Sequence, residues 1–575
     1  MQDDGVDNNS TSQVQVAHTT NNQKAVNAAS TKNYTSKANK ALENNTQHHI
    51  TISPSISPST YLPTSTASNI DYDVMELSIS PDAHTIGEVA PEYISTTLDW
   101  WKLGTEAWGN SSILNANLAH PNLLTAAKGL SPFFLRIGGS QADNIIYNMI
   151  PHKPYNNISN SSTTEVQCKK KPLKCLTKER WDEVLKFANQ VGARIVFTLA
   201  YVKHTRGDKY NEKTNDQKDW DSSNARHFME YIANSPYANL VYGFELGNEV
   251  RHKGKVKNIT RLVNAYKELG QIVDDIWSTD ERKHNKPIIA GAAATGKKES
   301  AKLIKATGQY LQLATYHKYH GGGKDPDLQP PYNHPVELSG PGEAVKEYMP
   351  KGSKLWIGEG AMAYNSGKQN ITDSFHGSLW FANVLGSLAK TKPVVHSVYC
   401  RQALLGGYYE LISHETLIPN PDYWLAYLWK QLVGTKAVGP IQSPQRKDSL
   451  KTSNTFTFGC CYKPGRDFLL IHSFCSTKLN GDVVLIVINK SESKAMNLDI
   501  QMGETRTEYL LTPNEDGLKS RQMLLNGEVM SIENNTLPVI DELGILRERE
   551  EQLNMPPISI AFIVVHGSEV EVCLR

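Results

Sequence analysis

Two glutamates stand where a reaction can be run. Glu249 closes the segment Phe244–Glu249 (FELGNE), and Glu359 lies within Leu355–Gly360 (LWIGEG). Each follows a short apolar run and a nearby glycine, the mark of a strand ending in a turn. A single glutamate in such a place is usually an ordinary exposed loop residue. Two of them, 110 residues apart and each at the end of its own strand, call for more. One carboxylic acid that protonates a leaving oxygen and one carboxylate that attacks an anomeric carbon are the parts glycoside hydrolysis needs. Asn248 adds an amide suited to a sugar 2-hydroxyl, a bond that tightens in an oxocarbenium-like transition state.

For these groups to converge, one scaffold must present both. From about residue 88 to 435, short apolar strands alternate with helical stretches. The strands are Phe133–Ile137, Arg194–Leu199, Leu240–Leu246, Lys286–Ala290, Leu313–Tyr319, Lys354–Gly358 and Val394–Tyr399, with a first one near Ile94–Leu98. The helices include Glu179–Gln190, Ser222–Ala233, Ile259–Trp277 and Asp373–Leu388. Apolar strands alternating with helices form parallel βα units. The expected fold is α/β, a (β/α)8 TIM barrel over 88–435, whose reacting groups belong at the C-terminal strand ends.

Beyond residue 440 the pattern changes to β-rich segments joined by polar turns: Asp467–Ser473, Asp482–Asn489, Met496–Gln501, Arg506–Leu511 and Ile558–Val565. They predict a C-terminal antiparallel β-sandwich built from 71–87, including the strand-like Asp73–Ile79, plus 436–575. Residues 1–70 are rich in Asn, Ser, Thr and Gln and poor in large apolar residues. Such a segment buries too little surface to offset its ordering entropy, so it is expected to be disordered.

Composition removes several functions. Among 575 residues, Lys plus Arg is 60 and Asp plus Glu is 59, a net of +1. This gives no electrostatic case for nucleic acid. No apolar stretch is long enough to span a bilayer, which leaves peripheral membrane association open. Seven cysteines without paired CxxC spacing argue against a disulfide scaffold or a structural zinc. No metal or nucleotide motif is present, so no cofactor is expected, and a monomer is. Sequons at Asn33, Asn110, Asn157, Asn160, Asn258, Asn370 and Asn489 give mild support for secretion, although no signal peptide is visible.

The residues around the two glutamates also carry a resemblance. Asn248–Glu249 after one strand and Glu359 after a later one match the glycosidase clan with its acid/base on strand four and its nucleophile on strand seven. More specifically, the chain resembles heparanase and the plant heparanase-like proteins, the endo-β-glucuronidases of glycoside hydrolase family 79. The matching stretches are Ala90–Trp101, Trp108–Leu114, Leu135–Asp143, Glu245–Glu249, Trp356–Gly367, Tyr399–Tyr409 and Pro419–Tyr423, with Glu508–Pro513 and Asn526–Gly527 in the β region. They cover roughly residues 72 to 575.

The resemblance implies a retaining β-glucuronidase with Glu249 as acid/base and Glu359 as nucleophile. It implies that Tyr319 and His317 line the active site and that Arg136, after strand two, fixes the nucleophile. Asp99 is implied to contact the sugar. Tyr364, Asn365, Ser366, Gly367, Gly407 and Tyr409 are implied to bind the uronate through backbone amides and phenolic hydroxyls. Cys475 and Cys573 match the family disulfide, which points to an oxidising compartment: secreted, extracellular, or lysosomal or vacuolar. Cys168 and Cys175 are a second candidate pair, whereas Cys400, Cys460 and Cys461 are expected to be buried or unpaired.

Departures bear on the substrate. The animal enzyme carries a long excised linker after its second strand; Asn144–Lys171 is too short for one. The strand-three end reads Leu199–Tyr201 instead of an Asn-containing pattern, and Trp101 stands where the animal enzyme has asparagine. Lys169, Lys170, Lys171 and Lys174 make a small basic cluster, better read as a solvated loop than as a polysaccharide site. The expected partner is a glucuronic-acid-containing glycan or a small glucuronide rather than heparan sulfate. Two alternatives stay open: another retaining glycosidase of the clan on a neutral sugar, and a non-catalytic glycan-binding protein on the same fold.

Overall fold

The structure is a computed structural model that describes residues 74–101, 105–149, 174–201, 219–251, 256, 258–326, 328, 340–391, 396–443 and 468–574. The expected disorder of 1–70, the Lys169–Lys171 cluster, and Cys168, Cys460 and Cys461 lie outside these residues.

Eight parallel strands close into a barrel. In chain order they are Ile94–Asp99, Phe133–Gly138, Ala193–Leu199, Val241–Leu246, Ile288–Thr295, Leu313–Gly322, Lys354–Tyr364 and His396–Arg401, here called barrel strands one to eight. Strand eight pairs back onto strand one, Tyr399 opposite Ile94. Strands one and two are buried along their whole length, because helices cover the outer face and side chains fill the inside. Strands six and seven run beyond the lengths expected from their apolar runs. Their extra residues keep pairing, Gly322 opposite Tyr364, and so raise a two-stranded extension above the mouth.

The helices are locally specified. Lys178–Val191 starts at Thr177, whose side chain accepts the Arg180 N–H, and stops at Gly192, where φ is +68°. Its Trp181, Val184, Leu185 and Ala188 stripe faces inward. Asn258 caps Ile259–Ile276 by accepting the Thr260 N–H. Phe375–Leu388 is buried on nearly every side, because it lies between strand seven and a second sheet.

Among the described residues, that second region is an eleven-stranded sheet. Its first strand, Val74–Glu88, pairs antiparallel with Val433–Gln442 and then parallel with Met496–Ile500. The expectation of a wholly antiparallel sheet is therefore corrected at this one pairing. One long strand serves two neighbours, and the chain direction it brings from one is opposed to what the other requires. The strand Val483–Asn489 (VVLIVIN) shows why alternation fails as a guide here. Val484, Ile486 and Ile488 pack on the barrel side with Phe474 and Phe562. Val483, Leu485 and Val487 pack into a second core with Leu498 and Met555. Both faces are covered, so both are apolar. A disulfide joins Cys475 to Cys573 across 98 residues. Closing so long a loop contributes about 3–5 kcal/mol in the chain-entropy picture. Cys400 is a buried free thiol. Among the described residues, no helix is long and apolar enough to cross a membrane.

Candidate active site

The turn after barrel strand four is built around a forced backbone. Gly247 has φ +71°, and a Cβ there would sit 2.1 Å from Val250 Cγ1, so only glycine fits. Glu249, two residues on, itself lies at φ +48°, a conformation non-glycine residues rarely hold without a reason. Its N–H is donated to Ala293 O at 2.9 Å, which ties the turn to strand five. The result aims the Glu249 carboxylate back over the mouth, where its Oε1 lies 2.8 Å from His317 Nδ1.

Glu359 arrives from strand seven and is held on both oxygens. Arg136 Nη1 donates to Oε2 at 3.1 Å, and the Tyr319 hydroxyl donates to Oε1. His317 Nδ1 lies 3.7 Å from the same Oε2. Ligating-type atoms of Glu249, His317 and Glu359 all fall within 4.8 Å of one another. Among the described residues this is the one group of His and carboxylate side chains close enough to hold a cation. The Arg136 guanidinium already places a positive charge there.

Arg136 is buried within strand two, one element earlier than the position after the strand that the sequence suggested, and it organises the site. Besides Glu359 it donates to Glu245 Oε2 at 2.7 Å and to Asn248 Oδ1 at 3.0 Å. Asn248 Oδ1 also accepts the Gly139 N–H at 3.3 Å, which fixes the amide plane. Burial works against the guanidinium charge, but Glu245 and Glu359 raise its pKa further, so it stays charged.

Glu245 is one of the residues that sequence reasoning missed. It is fully buried inside strand four and also accepts from Thr198 at 3.0 Å and Thr315 at 2.5 Å. Burial pushes its pKa up, yet Arg136, His317 and the Thr315 bond hold it below the ordinary value. The available signal was a glutamate inside an otherwise apolar strand, which can persist only if paired.

The neighbouring titratable groups are each shifted. Burial tends to neutralise His317, but Glu359 and the bond to Glu249 win and raise its pKa. Its Nε2 is buried with no hydrogen-bond partner among the described residues. Burial and the Glu359 charge push the Tyr319 phenol well up, keeping it a donor. Asp99, at the end of strand one, is pushed up to about 7 by burial and by Glu359, against the pull of Arg136. Gln402 holds Asp99 Oδ2 at 2.6 Å, while Oδ1 is buried without a hydrogen-bond partner among the described residues.

The residues expected to meet the uronate gather on the loops after strands seven and eight. Tyr364 is 52% exposed and stands edge-on to Tyr319, centroids 6.3 Å apart. Ser366 and Gly367 sit in a left-handed turn at φ +67° and +73°. Ser366 Oγ accepts from Trp108 Nε1 at 2.8 Å. The Gly407 N–H is engaged with Ala107 O at 2.6 Å. Buried Tyr409 packs edge-on to Trp108, centroids 6.1 Å apart. Trp108 and Gln402, both integral to this corner, carried no functional expectation from sequence.

The arrangement pairs a carboxylate fixed by a guanidinium and a phenol with a second carboxylate fixed by an imidazole. Such a pair can attack on one side of a bond and transfer a proton on the other. Comparison with known proteins bears on which chemistry this is. Residues 75–386 match the model of the glycosyl hydrolase family 79 N-terminal domain. Heparanase-like protein 2 of Arabidopsis thaliana is 30% identical over 85% of this chain and 93% of its own length. Baicalin-beta-D-glucuronidase of Scutellaria baicalensis is 28% identical over 84% of this chain and 91% of its own. In fold, the chain is similar to the GH51 alpha-L-arabinofuranosidase of Thermotoga petrophila RKU-1, with a TM-score of 0.57 at 15% identity, covering 86% of this chain and 100% of that one. A match across more than half of the chain, over a barrel whose mouth presents paired carboxylates, places this protein in glycoside hydrolase family 79 as a glycoside hydrolase.

Proposed function

We propose that the protein is a retaining β-glucuronidase that cleaves β-linked glucuronic acid by double displacement. The observation that carries the reading is the convergence of Glu249 and Glu359 within 4.8 Å, each oriented by different partners. That closeness favours retention, for which carboxyl groups stand about 5–5.5 Å apart, over inversion, which needs about 6.5–9.5 Å. The family match and the glucuronidase named among its relatives support the choice of sugar.

Glu359, oriented by its bonds from Arg136 and Tyr319, attacks the anomeric carbon as the bond to the leaving oxygen breaks. That oxygen takes the proton shared between Glu249 Oε1 and His317 Nδ1. Glu249 then removes a proton from water, whose oxygen displaces Glu359 and frees glucuronic acid with its original anomeric configuration. Asn248, its amide fixed by Arg136, serves the 2-hydroxyl. Ser366, Tyr364 and Tyr409 offer neutral donors to the sugar carboxylate. The Cys475–Cys573 bond supports an oxidising compartment as the site of action.

A panel of aryl glycosides tests the proposal on the purified protein. Glucuronide cleavage at a kcat/KM at least about 10²-fold above xyloside, arabinoside and glucoside is expected, because a site built for a carboxylate rejects sugars lacking it. Faster cleavage of a neutral glycoside would overturn the choice of sugar. Binding of the glucuronide without turnover would overturn catalysis itself.

A further inference from the structure

The barrel order fixes which side of the mouth receives which part of the substrate. Strand four, with Glu249, lies diametrically opposite strand eight. The proton donor stands beside the leaving group, so the aglycone lies on the strand-four side. The sugar ring being transferred extends toward strands seven, eight and one. In a pyranose the C4 hydroxyl is across the ring from C1, so it points at the loops that follow those three strands.

Those loops are joined into one wall. Ala107, after strand one, accepts the Gly407 N–H at 2.6 Å. Ser366, after strand seven, accepts the Tyr408 N–H at 2.7 Å and, through its hydroxyl, Trp108 Nε1 at 2.8 Å. Trp101 lies stacked on Trp108, rings 4.5 Å apart and 17° from parallel. Gly406 is pressed so closely on Trp108 that a Cβ would lie 2.4 Å from its ring. Glu410, buried beneath, accepts the Gly406 N–H at 2.5 Å and a His414 Nδ1 contact at 2.9 Å. An open cleft for a polymer needs a gap between loops at this end, and here each loop is bonded to the next.

The geometry points to a closed glycone side: the enzyme takes only terminal, unextended β-glucuronosyl groups, releasing them one at a time rather than cutting inside a chain. This rests on the glucuronidase reading above and names the class of its substrate. Trp101 is the residue that bars a further sugar at O4.

Two chromogenic substrates test it: nitrophenyl β-glucuronide, and the same glucuronide carrying one additional sugar on O4. The parent enzyme is expected to cleave the second with a kcat/KM at least about 10²-fold lower than the first. The Trp101→Ala variant is expected to narrow that ratio at least about tenfold, chiefly by gaining on the extended substrate. Comparable rates on both substrates in the parent enzyme would overturn the closed wall while leaving the glucuronidase reading intact. A variant ratio equal to the parent's, with the simple glucuronide still cleaved, would remove Trp101 as the barrier and overturn the proposal in this form. Failure to cleave either substrate would overturn the glucuronidase reading itself, and the wall's meaning with it.

Discussion

The two ends of the barrel each hold an arginine, and they use it in opposite ways. At the mouth, Arg136 is buried among Glu245, Glu359 and Asn248 and bonds to all three. At the floor, Arg194, in strand three, lies over the rings of Phe134 and Tyr242, 4.6 and 4.7 Å from their centroids, and reaches Glu92 at 2.6 Å. The floor arginine keeps 42% of its side chain in solvent, so its charge is hydrated and its stem seals apolar surface. The mouth arginine has no solvent to turn to, and its charge goes into orienting both carboxylates and lowering the proton affinity of Glu245. A charge is cheap where water reaches it and consequential where water does not.

Four changes break or sharpen that contrast. Replacing Glu359 by Gln should abolish turnover, a fall of at least about 10³-fold in kcat on an aryl glucuronide. The circular dichroism and thermal midpoint should stay near those of the parent, because the amide can still accept from Tyr319. Retained turnover would end the nucleophile assignment. Arg136→Met should lower kcat by about 10²-fold or more. It should also cost about 3–5 kcal/mol in denaturant unfolding, since Glu245 is left buried without its cation. A loss of stability without loss of rate would make the mouth a structural site like the floor.

Asp99 sharpens the contrast through pH. Its folded pKa, about 7, lies above the ordinary 3.8. Below the ordinary value both states hold the proton. As pH rises through the interval up to about 7, the unfolded chain releases its proton while the folded site retains it. The Asp99 contribution to stability is therefore present in acid and lost with rising pH. Asp99→Asn should remove that part of the slope of thermal midpoint against pH, and identical slopes would place the shift elsewhere. Smallest of all, Arg194→Met should leave kcat within about twofold and lower stability by about 1–2 kcal/mol. A large rate effect there would show that floor and mouth are mechanically linked.

Much of this was legible in the chain because its signals are local. Apolar runs such as Phe133–Ile137 mark strands buried on both faces, and each of the expected barrel strands has its counterpart within a few residues or with an added extension. Gly247 follows the end of strand four, whereas Gly358 lies inside a strand seven longer than its apolar run, and the carboxylate beyond each still falls at the mouth. The second sheet was harder. Val74–Glu88 changes neighbour and direction partway along, which no residue type announces. Glu245 was passed over because a run of strand-forming residues draws attention from the one charge inside it. Gln402 and Trp108 were passed over because an amide and an indole become part of a site only through what they face.

The sequence by itself determined the class of fold and the places where the barrel strands begin, and it singled out both carboxylates as candidates, since periodicity, glycine placement and side-chain chemistry act over a few residues. Tertiary structure alone decided the partnerships. Arg136 meets groups 109, 112 and 223 positions away. Those encounters, and the proton affinities that follow from them, depend on distances of a few ångströms that exist only once the eighth strand has closed on the first.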